Sequence, residues 1–563
     1  MKNNTQIAYF SMEIALESAI PTYAGGLGIL AGDTIRSAAD MAIPMVAVSL
    51  LQRKGYFHQL LDETGWQTEE PVQWHVEDYL TKLDARAYVE IEGRQVALCA
   101  WQYDVEGANG DLVPVYLLDS DLEENSEADR ALTYHLYGGD SHYRLSQEAI
   151  LGIGGIRMLR ALGHVEIQRY HMNEGHAALL GMELLAEIIR ESGETVIKKE
   201  HIEQVRRQCV FTTHTPVPAG HDKFPLETVY RVLGRDNPMQ HCEGEFCPVG
   251  ELNMTYLALN NSHFINGVAK RHRQISQEMF TGYHIEAITN GIHIGTWACK
   301  SIQALFDRYI TGWRNDYASL RYAISIPREE IWKAHQSAKR QLIEQVNHSC
   351  NCGFDMEVMT IGFARRATAY KRLDLVFEDV DRLQAIVDRT GPLQLIFAGK
   401  AHPHDQTGKQ LIQRIFRMRE NLKQHIKICY LPEYDMALGK LLVAGSDIWL
   451  NTPQPPMEAS GTSGMKAAAN GVPSLSILDG WWIEGCIEGT TGWSFGNGQT
   501  DSGDHRTQDA RMLYDKLEQV ILPLYYNERE QFIDIMRNTI AINGSFFNTE
   551  RMLSQYISKA YFK

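Results

Sequence analysis

"EVMTIGFARRATAYKR", residues 357–372, opens the stretch that decides the fold. Its first eight residues are rich in apolar and β-branched side chains, which predicts a buried strand, and a basic loop follows directly. From here to residue 478 the sequence alternates short β-rich runs with amphipathic segments of helical length. Such alternation is typical of a parallel, doubly wound sheet. The stretch therefore predicts a Rossmann-like domain.

The N-terminal half shows the same alternation with more interruptions. Residues 85–120 differ, because β-rich runs follow one another there without a helix, which indicates an antiparallel insertion. The main predicted strands are 6–12, 43–51, 167–173 and 208–215, and the main predicted helices are 25–42 and 174–192.

The join between the halves is placed near "ITNGIHIGTW", residues 288–297, where Asn-Gly and Gly interrupt the pattern. The predicted domains are residues 1–290, with the β insertion, and residues 291–563, whose last helices could pack back on the first domain. The predicted fold class is α/β, with two Rossmann-like domains facing a cleft, since ligands bind beyond the carboxyl ends of parallel strands.

Composition excludes several classes of function. Of the 563 residues, 44% are hydrophobic and 22% charged, and no run approaches the ~20 apolar residues of a membrane span. The formal charge is −16, from 70 acidic and 54 basic residues, which repels nucleic acid and anionic membranes. We therefore expect no nucleic-acid or membrane partner, and any anionic ligand requires a local basic cluster.

The nine cysteines are scattered along the chain, and the first residues lack the apolar core and cleavage site of a secretory signal. We therefore expect a cytoplasmic protein with reduced thiols. Two close pairs occur, Cys242 with Cys247 and Cys350 with Cys352, and neither has a second pair at zinc-ribbon spacing. No metal site is predicted.

The segment "ARRATAYKR", residues 364–372, is the clearest basic cluster, with four Arg or Lys among nine residues. A solvated run of charges is the usual explanation for such a segment. Its position after a buried strand, and the tyrosine between the cations, favour ligand binding instead. Arginine forks and a lysine point charge together suit phosphoryl groups.

Other polar segments also lie at predicted strand ends. "YAGGLGILAGD", residues 23–33, could offer backbone N–H groups to an anion, although such a turn is often only a tight connection. His214 follows a strand, and a lone histidine is more often structural. Asn173, Glu174 and His176 lie between a strand and a helix that they could simply cap. Several polar strand ends in one chain favour a ligand-binding cleft.

"EASGTSGMKAAANG", residues 458–471, places Lys466 in the first turn of a predicted helix, where the helix dipole disfavours a cation. An amine bonded to an aldehyde cofactor would lose that charge, and small neighbours leave room for a ring. The helix N–H groups and Thr462 could then hold a cofactor phosphate. A surface lysine that reaches into water is the alternative that this stretch leaves open.

Six motifs taken together resemble the α-glucan (glycogen and maltodextrin) phosphorylases. They are "GGLGILAGD", "THTPVPAGHDKFP", "NSHFINGVAKRH", "ITNGIHIGTW", "RRATAYKR" and "EASGTSGMKAAANG", in this order. The sequence is most similar to the short bacterial-type branch, whose members lack the N-terminal extension that carries allosteric control. Regulation by phosphorylation or AMP is therefore not expected.

The resemblance implies a GT-B glycosyltransferase architecture and a pyridoxal 5′-phosphate-dependent reaction. That reaction is the reversible phosphorolysis of terminal α-1,4-linked glucose to α-glucose 1-phosphate, with retention of configuration. The implied partners are an α-1,4-glucan, inorganic phosphate and glucose 1-phosphate, and family members are commonly homodimers.

The resemblance also implies roles for individual residues. Lys466 would bind pyridoxal phosphate covalently, and the cofactor phosphate would act as acid and base toward substrate phosphate. The implied catalytic residues are Lys466, Arg366, Lys371 and His214. The other implied cofactor contacts are Thr462, Arg365, Gly25, Gly26, Tyr434 and Trp297, together with Lys371. The implied substrate contacts are Gly26, Asp140, Ser141, His176, His214, Asn290, Tyr370, Glu458, Ser460 and Gly461.

Several positions depart from the family pattern. Asp435 replaces an arginine near the cofactor ring, Gly464 replaces an asparagine, and Thr368 stands where a histidine lines the acceptor site. Arg365 stands where a lysine is usual.

Three other functions remain open at this point. They are a nucleotide-sugar α-glucan synthase of the same architecture, a non-catalytic glucan-binding protein and an aminotransferase-like cofactor enzyme. Many such synthases carry a second glutamate eight positions after the first, where this sequence has Lys466.

Overall fold

The structure is a computed structural model that describes residues 5–194, 196–217, 220–234, 250–496, 498 and 505–562. The chain divides into two compact units. Unit 1 comprises Met1–Phe57, Pro71–Ile288 and Met552–Lys563, and unit 2 comprises His58–Glu70 and Thr289–Arg551. One segment departs from the predicted domains, because residues 58–70 belong to unit 2. Residues 552–563 belong to unit 1, in agreement with the expectation that the last helices pack back on the first domain.

The strands of the described chain are numbered in order. They are β1 (Ile7–Ser11), β2 (Met45–Leu50), β3 (His58–Leu61), β4 (Gln67–Glu70), β5 (Thr81–Lys82), β6 (Ala87–Ile91), β7 (Arg94–Glu106), β8 (Leu112–Asp119), β9 (Arg169–Asn173), β10 (Cys209–Thr212), β11 (Lys223–Pro225), β12 (Glu251–Asn253), β13 (Phe264–Gly267), β14 (Glu286–Ala287), β15 (Met359–Ala364), β16 (Leu393–Ala398), β17 (Lys427–Leu431), β18 (Ile448–Asn451), β19 (Ser474–Ile477) and β20 (Gly492–Phe495).

The α-helices are numbered in the same way. They are α1 (Gly26–Asp40), α2 (Glu127–Arg130), α3 (Ser141–Ala149), α4 (Gly155–Ala161), α5 (Leu180–Ser192), α6 (Lys199–Gln208), α7 (Leu226–Leu233), α8 (Met254–Asn260), α9 (Lys270–Met279), α10 (Ile294–Trp297), α11 (Lys300–Tyr309), α12 (Arg328–Cys350), α13 (Val380–Thr390), α14 (Gln406–Leu422), α15 (Met436–Gly445), α16 (Ser463–Ala469), α17 (Trp482–Gly485), α18 (Arg506–Lys516), α19 (Leu522–Asn527), α20 (Arg529–Asn538) and α21 (Thr549–Tyr556). None of these helices combines the length and apolar character that crossing a bilayer requires.

Unit 2 contains a parallel sheet with strand order β17-β16-β15-β18-β19-β20. Counted along the chain, this is the order 3-2-1-4-5-6 of a Rossmann sheet. The chain first adds strands on one side of β15 and then returns to add β18 on the other side. The predicted parallel α/β sheet is confirmed, and its switch point lies between β15 and β18.

Unit 1 contains a larger sheet with strand order β14-β13-β10-β9-β1-β2-β8-β7-β5. The seven neighbouring strands from β14 to β8 run parallel, and the switch point lies between β1 and β9. Both faces of β1 are buried, which explains why its sequence is almost continuously apolar.

The predicted β insertion at residues 85–120 is only partly separate from this sheet. Strands β6 and β7 are antiparallel, as are β7 and β8. However, β8 also pairs in parallel with β2. The antiparallel strands therefore extend the edge of the main sheet.

The C-terminal segment packs on one face of the unit 1 sheet. Tyr556 and Tyr561 are buried in the same apolar cluster as Ile7 and Tyr9 of β1. His171 of β9 bonds the hydroxyl of Tyr561 across 2.7 Å. These contacts explain why residues 552–563 belong to unit 1, although they are the last in the sequence.

The prediction of reduced thiols is wrong for one pair. Cys350, at the end of α12, forms a disulfide with Cys429 in β17, because the packing of these elements brings the two Cα atoms to 6.4 Å. Contacts of this kind join positions 79 residues apart and cannot be read from local cysteine spacing. Cys242 and Cys247 lie outside the described residues.

Candidate active site

The unit 2 switch point places two segments of the predicted site side by side. The basic segment begins directly after β15, and the loop from β18 leads to Glu458 and α16. In a sheet of this topology, ligands bind beyond the carboxyl ends of the strands at the switch point. Predicted residues that lie far apart in the sequence are thereby brought together.

Glu458 is the centre of this arrangement. Its Oε2 accepts hydrogen bonds from Arg365, across 2.6 Å, and from the ammonium of Lys371. Its backbone N–H donates to Asp479 Oδ2 across 2.9 Å. Glu458, Arg365, Lys371 and Asp479 are called the Glu458 cluster below. All four side chains are largely buried.

Burial and mutual charge shift the pKa values in the Glu458 cluster. Burial opposes ionisation of Glu458, but Arg365 and Lys371 outweigh it and lower the pKa of this carboxyl to about 2. Burial, followed by repulsion from Arg365, lowers the pKa of Lys371 to about 8. Burial raises the pKa of Asp479 to about 7, with a smaller contribution from the charge of Glu458. Two cations thus share one firmly ionised carboxylate.

Lys466 is the fourth residue of α16, and its backbone N–H donates to Thr462 across 3.2 Å. The residue is only 7% exposed, and its ammonium lies 3.9 Å from the centroid of the buried Trp297 ring. Asn470 holds these parts together, because its side chain donates to the carbonyls of both Trp297 and Lys466. The alternative of a surface lysine that reaches into water therefore does not apply.

Small residues shape the surroundings of Lys466. A Cβ on Gly464 would lie 2.8 Å from the Trp481 ring and 3.1 Å from Ser474 Oγ, so this position accepts no larger residue. Gly461 has φ +84°, and a Cβ there would lie 3.0 Å from Glu458 Oε1. The glycines thus allow the loop to run close to aromatic and acidic side chains.

Several other predicted residues of unit 2 contribute polar atoms near strand ends or loops. Ser460 Oγ and Asn290 Oδ1 are buried, and neither has a hydrogen-bond partner within the described part of the chain. Tyr370 lies under the Lys371 ammonium, which is 4.6 Å from its ring centroid. Arg366 is exposed, in contrast to Arg365. Burial raises the pKa of Tyr434 to about 12, so its hydroxyl stays protonated.

The structure shows the surroundings of two residues that depart from the family pattern, Asp435 and Thr368. Asp435 caps α15, because its Oδ1 accepts the Leu438 N–H across 2.8 Å. The hydroxyl oxygen of Thr368 has no partner among the residues described and is buried. Asp435 thus has a structural role, whereas Thr368 offers an unused polar atom.

His214 follows β10 of unit 1 and is held at the carboxyl edge of the sheet. Its Nε2 lies 2.7 Å from Asn173 Oδ1, and its backbone N–H donates to Glu174 Oε2 across 2.7 Å. Asn173 in turn donates to Ser11 Oγ at the end of β1. Burial, followed by repulsion from His272, lowers the pKa of His214 to about 3. The imidazole is therefore neutral and donates from Nε2.

The glycine-rich turn of unit 1 is fixed by Glu13. Its Oε2 accepts the N–H groups of Ala24 and Gly25, across 2.6 and 3.1 Å, and its Oε1 accepts the Tyr137 hydroxyl. No described atom lies within 4 Å of the position that a Cβ would take on Gly26. The start of α1 thus has a rigid base and an open side at Gly26.

The other predicted unit 1 residues form a separate group. His176 Nε2 lies 3.3 Å from Asp222 Oδ2, and the same oxygen accepts a hydrogen bond from Arg144. Asp140 and Ser141 are exposed at the start of α3, which Asp140 caps by accepting the Tyr143 N–H. The structure therefore shows no direct hydrogen bond between this group and His214 among the described residues.

Sequence reasoning missed three residues with structural control of these loops. Glu13 and Asp479 are absent from the predicted sites, and the sequence indicates for Glu174 either a helix cap or a polar strand end beside a cleft, not a residue that anchors His214. Each is acidic and buried, with oxygens that accept backbone N–H groups of a predicted site. The available signal was an acidic residue within or beside an apolar run, as in "YFSMEIAL".

Comparison with known proteins agrees with this geometry. A family profile described as carbohydrate phosphorylase matches residues 245–557, which is more than half of the chain. The chain belongs to the carbohydrate phosphorylase family.

Several relatives match this chain over nearly its full length. A maltodextrin phosphorylase of Thermococcus litoralis is 37% identical, with 99% of this chain and 70% of that protein covered. A glycogen phosphorylase of Aquifex aeolicus is 35% identical, with 99% and 86% covered. A glycogen phosphorylase of Mycobacterium tuberculosis is 36% identical, with 99% and 71% covered.

The buried carboxyl of Asp479 predicts a pH-dependent stability of this phosphorylase. Its folded pKa of about 7 lies above its ordinary value of 3.8, so the folded protein binds more protons in this window. The Asp479 carboxyl makes its full contribution to the free energy of unfolding below pH ~4. This contribution, at most about 4 kcal/mol, is lost as the pH rises through ~7. We expect the wild-type melting temperature to fall relative to that of Asp479→Asn between pH 5.5 and pH 8.5. An equal difference at both pH values would contradict the assignment.

Proposed function

We propose that this chain is an α-1,4-glucan phosphorylase. It would transfer the terminal glucose of a maltodextrin or glycogen chain to inorganic phosphate and release α-glucose 1-phosphate, with retention of configuration and in a reversible reaction. The observation that carries the proposal is the Glu458 cluster, where Arg365 and Lys371 bring two positive charges to one carboxylate. Family membership supports the same reaction.

The excess positive charge favours a phosphate ligand. Below pH ~7, Asp479 adds little negative charge, so the buried cluster carries a net positive charge. A phosphate bound nearby would stabilise the charged form of Lys371 and reverse the effect of burial on its pKa. Arg366, which is exposed and follows Arg365 in the chain, would contribute a further fork of donors to an incoming phosphate.

The residues around Lys466 fit pyridoxal 5′-phosphate. A buried amine beside the Trp297 ring, in a helix whose other residues include glycine and alanine, would provide the attachment group for the aldehyde. Thr462 precedes the helix, and its side chain makes no capping bond there. When bound, the cofactor supplies a phosphate group that exchanges a proton with the substrate phosphate.

With both the cofactor phosphate and the substrate phosphate bound, the site needs its cations to offset the repulsion between the two phosphates. Two phosphates in contact repel each other by about 4 kcal/mol for each pair of unit charges about 4 Å apart in a partly buried site. Arg365, Arg366 and Lys371 would offset this repulsion. In this proposal Arg365 and Lys371 hold the cofactor phosphate, and Arg366 and Lys371 hold the substrate phosphate.

The glucose hydroxyls would be bound by polar groups of these loops. Ser460 and Asn290 offer buried polar atoms, and Tyr370 lies in the same loop as Arg365 and Lys371. Glu458 and Gly461 lie in the loop after β18, and Glu458 bonds both cations. The neutral His214 would bind the glucose 6-hydroxyl through its ring and place its carbonyl near the positive charge that develops at the anomeric carbon. Gly26 would donate its N–H to substrate phosphate.

We further propose that the two units adopt the GT-B arrangement, with the carboxyl edge of each sheet facing the substrate. The support is the family membership and the matching strand orders around each switch point. A nucleotide-sugar synthase of the same architecture is less consistent with the sequence, because Lys466 occupies the position of its second glutamate. A protein that only binds glucan would require neither the buried cations nor Lys466.

The role of Lys466 predicts a single covalent site for the cofactor. Borohydride treatment of the purified protein, followed by peptide mapping, is expected to place reduced pyridoxal phosphate on Lys466. The variant Lys466→Arg should carry no label, and Lys423→Arg, which changes an exposed lysine, should be labelled as the wild type. Label on another residue, or no label in active protein, would reject the cofactor assignment.

The proposed role of Arg366 predicts that its replacement impairs the use of substrate phosphate but not the binding of the cofactor. Arg366→Ala should retain bound pyridoxal phosphate, because Arg365 and Lys371 remain, while the rate of phosphorolysis falls on the order of 100-fold or more. The measurement is the initial rate against phosphate concentration at saturating maltodextrin. Arg389→Ala, which changes an exposed arginine of α13, is the matched control and should behave as the wild type. Unchanged saturation by phosphate in Arg366→Ala would contradict the proposal.

A further inference from the structure

Three cysteine sulfurs converge in unit 2 where α12 ends beside β17. Cys350 is the last residue of α12, Cys352 follows two residues later, and Cys429 lies in the middle of β17. The three Sγ atoms all lie within 4.8 Å of one another. Cys350 and Cys429 are joined as a disulfide, and Cys352 is a free thiol. We propose that, once this disulfide is reduced, the three thiolates bind one soft monovalent cation, namely Cu(I).

The positions of the sulfurs do not depend on the disulfide alone. Asn351 ends α12 with a left-handed backbone at φ +47°, a conformation that asparagine tolerates well. The side chain of Asn347 then donates to the Phe354 carbonyl and accepts the Phe354 N–H. The turn that carries Cys352 is therefore held against α12 by hydrogen bonds. After reduction, the backbone still presents the three thiols to one point.

The electrostatic environment where the three cysteine sulfurs meet favours a cation. The carbonyl end of α12 carries the negative end of the helix dipole. Carbonyl oxygens also approach the sulfurs: those of Cys350 and Ile428 lie 3.3 and 3.8 Å from Cys352 Sγ, and that of Tyr430 lies 3.9 Å from Cys350 Sγ. Such neighbours oppose an isolated thiolate, and the positive charge of a bound cation reduces this cost.

The charged side chains near Cys352 do not alter this conclusion. Arg419 and Lys427 contribute positive charge, and Glu420 contributes negative charge. Burial is the largest influence and raises the pKa of the Cys352 thiol. Binding of Cu(I) to the thiolates would release the thiol protons to solvent.

The number and softness of the three sulfur ligands determine which metal ion suits this site. Soft thiolates favour Cu(I), Zn²⁺ or iron–sulfur clusters. Structural zinc sites are almost always four-coordinate. Within the described ranges, the group whose ligand atoms all lie within 4.8 Å of one another contains these three sulfurs and no His, Asp or Glu as a fourth ligand. Cu(I) is satisfied by three thiolates, whereas Zn²⁺ would require an additional ligand from water.

Reduction must precede binding, and its chemistry is simple. A trialkylphosphine breaks the Cys350–Cys429 bond and, with one water molecule, becomes the phosphine oxide, while the two sulfurs become thiols. Cu(I) then replaces thiol protons and does not change its oxidation state. The disulfide and the metal site are therefore mutually exclusive states of the same three residues.

The test uses the full-length protein, reduced with a trialkylphosphine and freed of it without oxygen. Cu(I) is titrated in competition with a chromogenic Cu(I) chelator. We expect one tightly held Cu(I) per chain and a thiolate-to-copper absorption in the ultraviolet. Loss of an outer-sphere partner of a metal ligand weakens metal binding roughly 10- to 100-fold. Cys352→Ser removes a direct ligand and should weaken Cu(I) binding by more than that. Cys486→Ser, which changes a partly exposed cysteine elsewhere in unit 2, should have no effect.

A second measurement addresses the exclusivity of the two states. Diamide, a two-electron thiol oxidant, should restore the Cys350–Cys429 bond in metal-free protein, but not in Cu(I)-loaded protein. Alkylation and mass spectrometry report both states. Wild-type affinity in Cys352→Ser, tighter binding of Zn²⁺ than of Cu(I), or full disulfide formation in the loaded protein would each overturn the proposal.

Discussion

Glu458 shares one carboxylate oxygen between the guanidinium of Arg365 and the ammonium of Lys371, inside a region that excludes most water. This interaction sets the charge balance of the unit 2 site. The two cations lower the pKa of Glu458, so the carboxylate cannot take up a proton to relieve the burial. Two cations face this one ionised carboxylate, so positive charge is in excess while Asp479 is protonated, and the site favours an anion.

Topology makes that interaction possible. Arg365 and Glu458 are 93 residues apart, but each follows a strand that borders the switch point of the unit 2 sheet. The same principle applies in unit 1, where Ser11, Asn173 and His214 meet because β1, β9 and β10 are neighbours. In each unit, loops carry most of the predicted site residues, while the sheet fixes the spacing of those loops.

The sequence predicted the architecture of each sheet well, because strand and helix periods are local properties of the chain. It also placed Arg365, Lys371 and His214 at strand ends, because basic or polar residues directly follow apolar runs there. It could not predict the Glu458 ion pairs or the Cys350–Cys429 disulfide, because these contacts are non-local. Nor did periodicity indicate that residues 58–70 pack with unit 2, where the Gln59 side chain donates to the Gly399 carbonyl.

The most direct test of this account is the reaction itself. Purified protein is incubated with a maltodextrin of defined length and inorganic phosphate, and both products are quantified. The account predicts that each α-glucose 1-phosphate formed is matched by a glucan shortened by one glucose, with a rate that saturates in phosphate. Absence of glucose 1-phosphate, or a glucan that grows only when a nucleotide sugar is supplied, would contradict it.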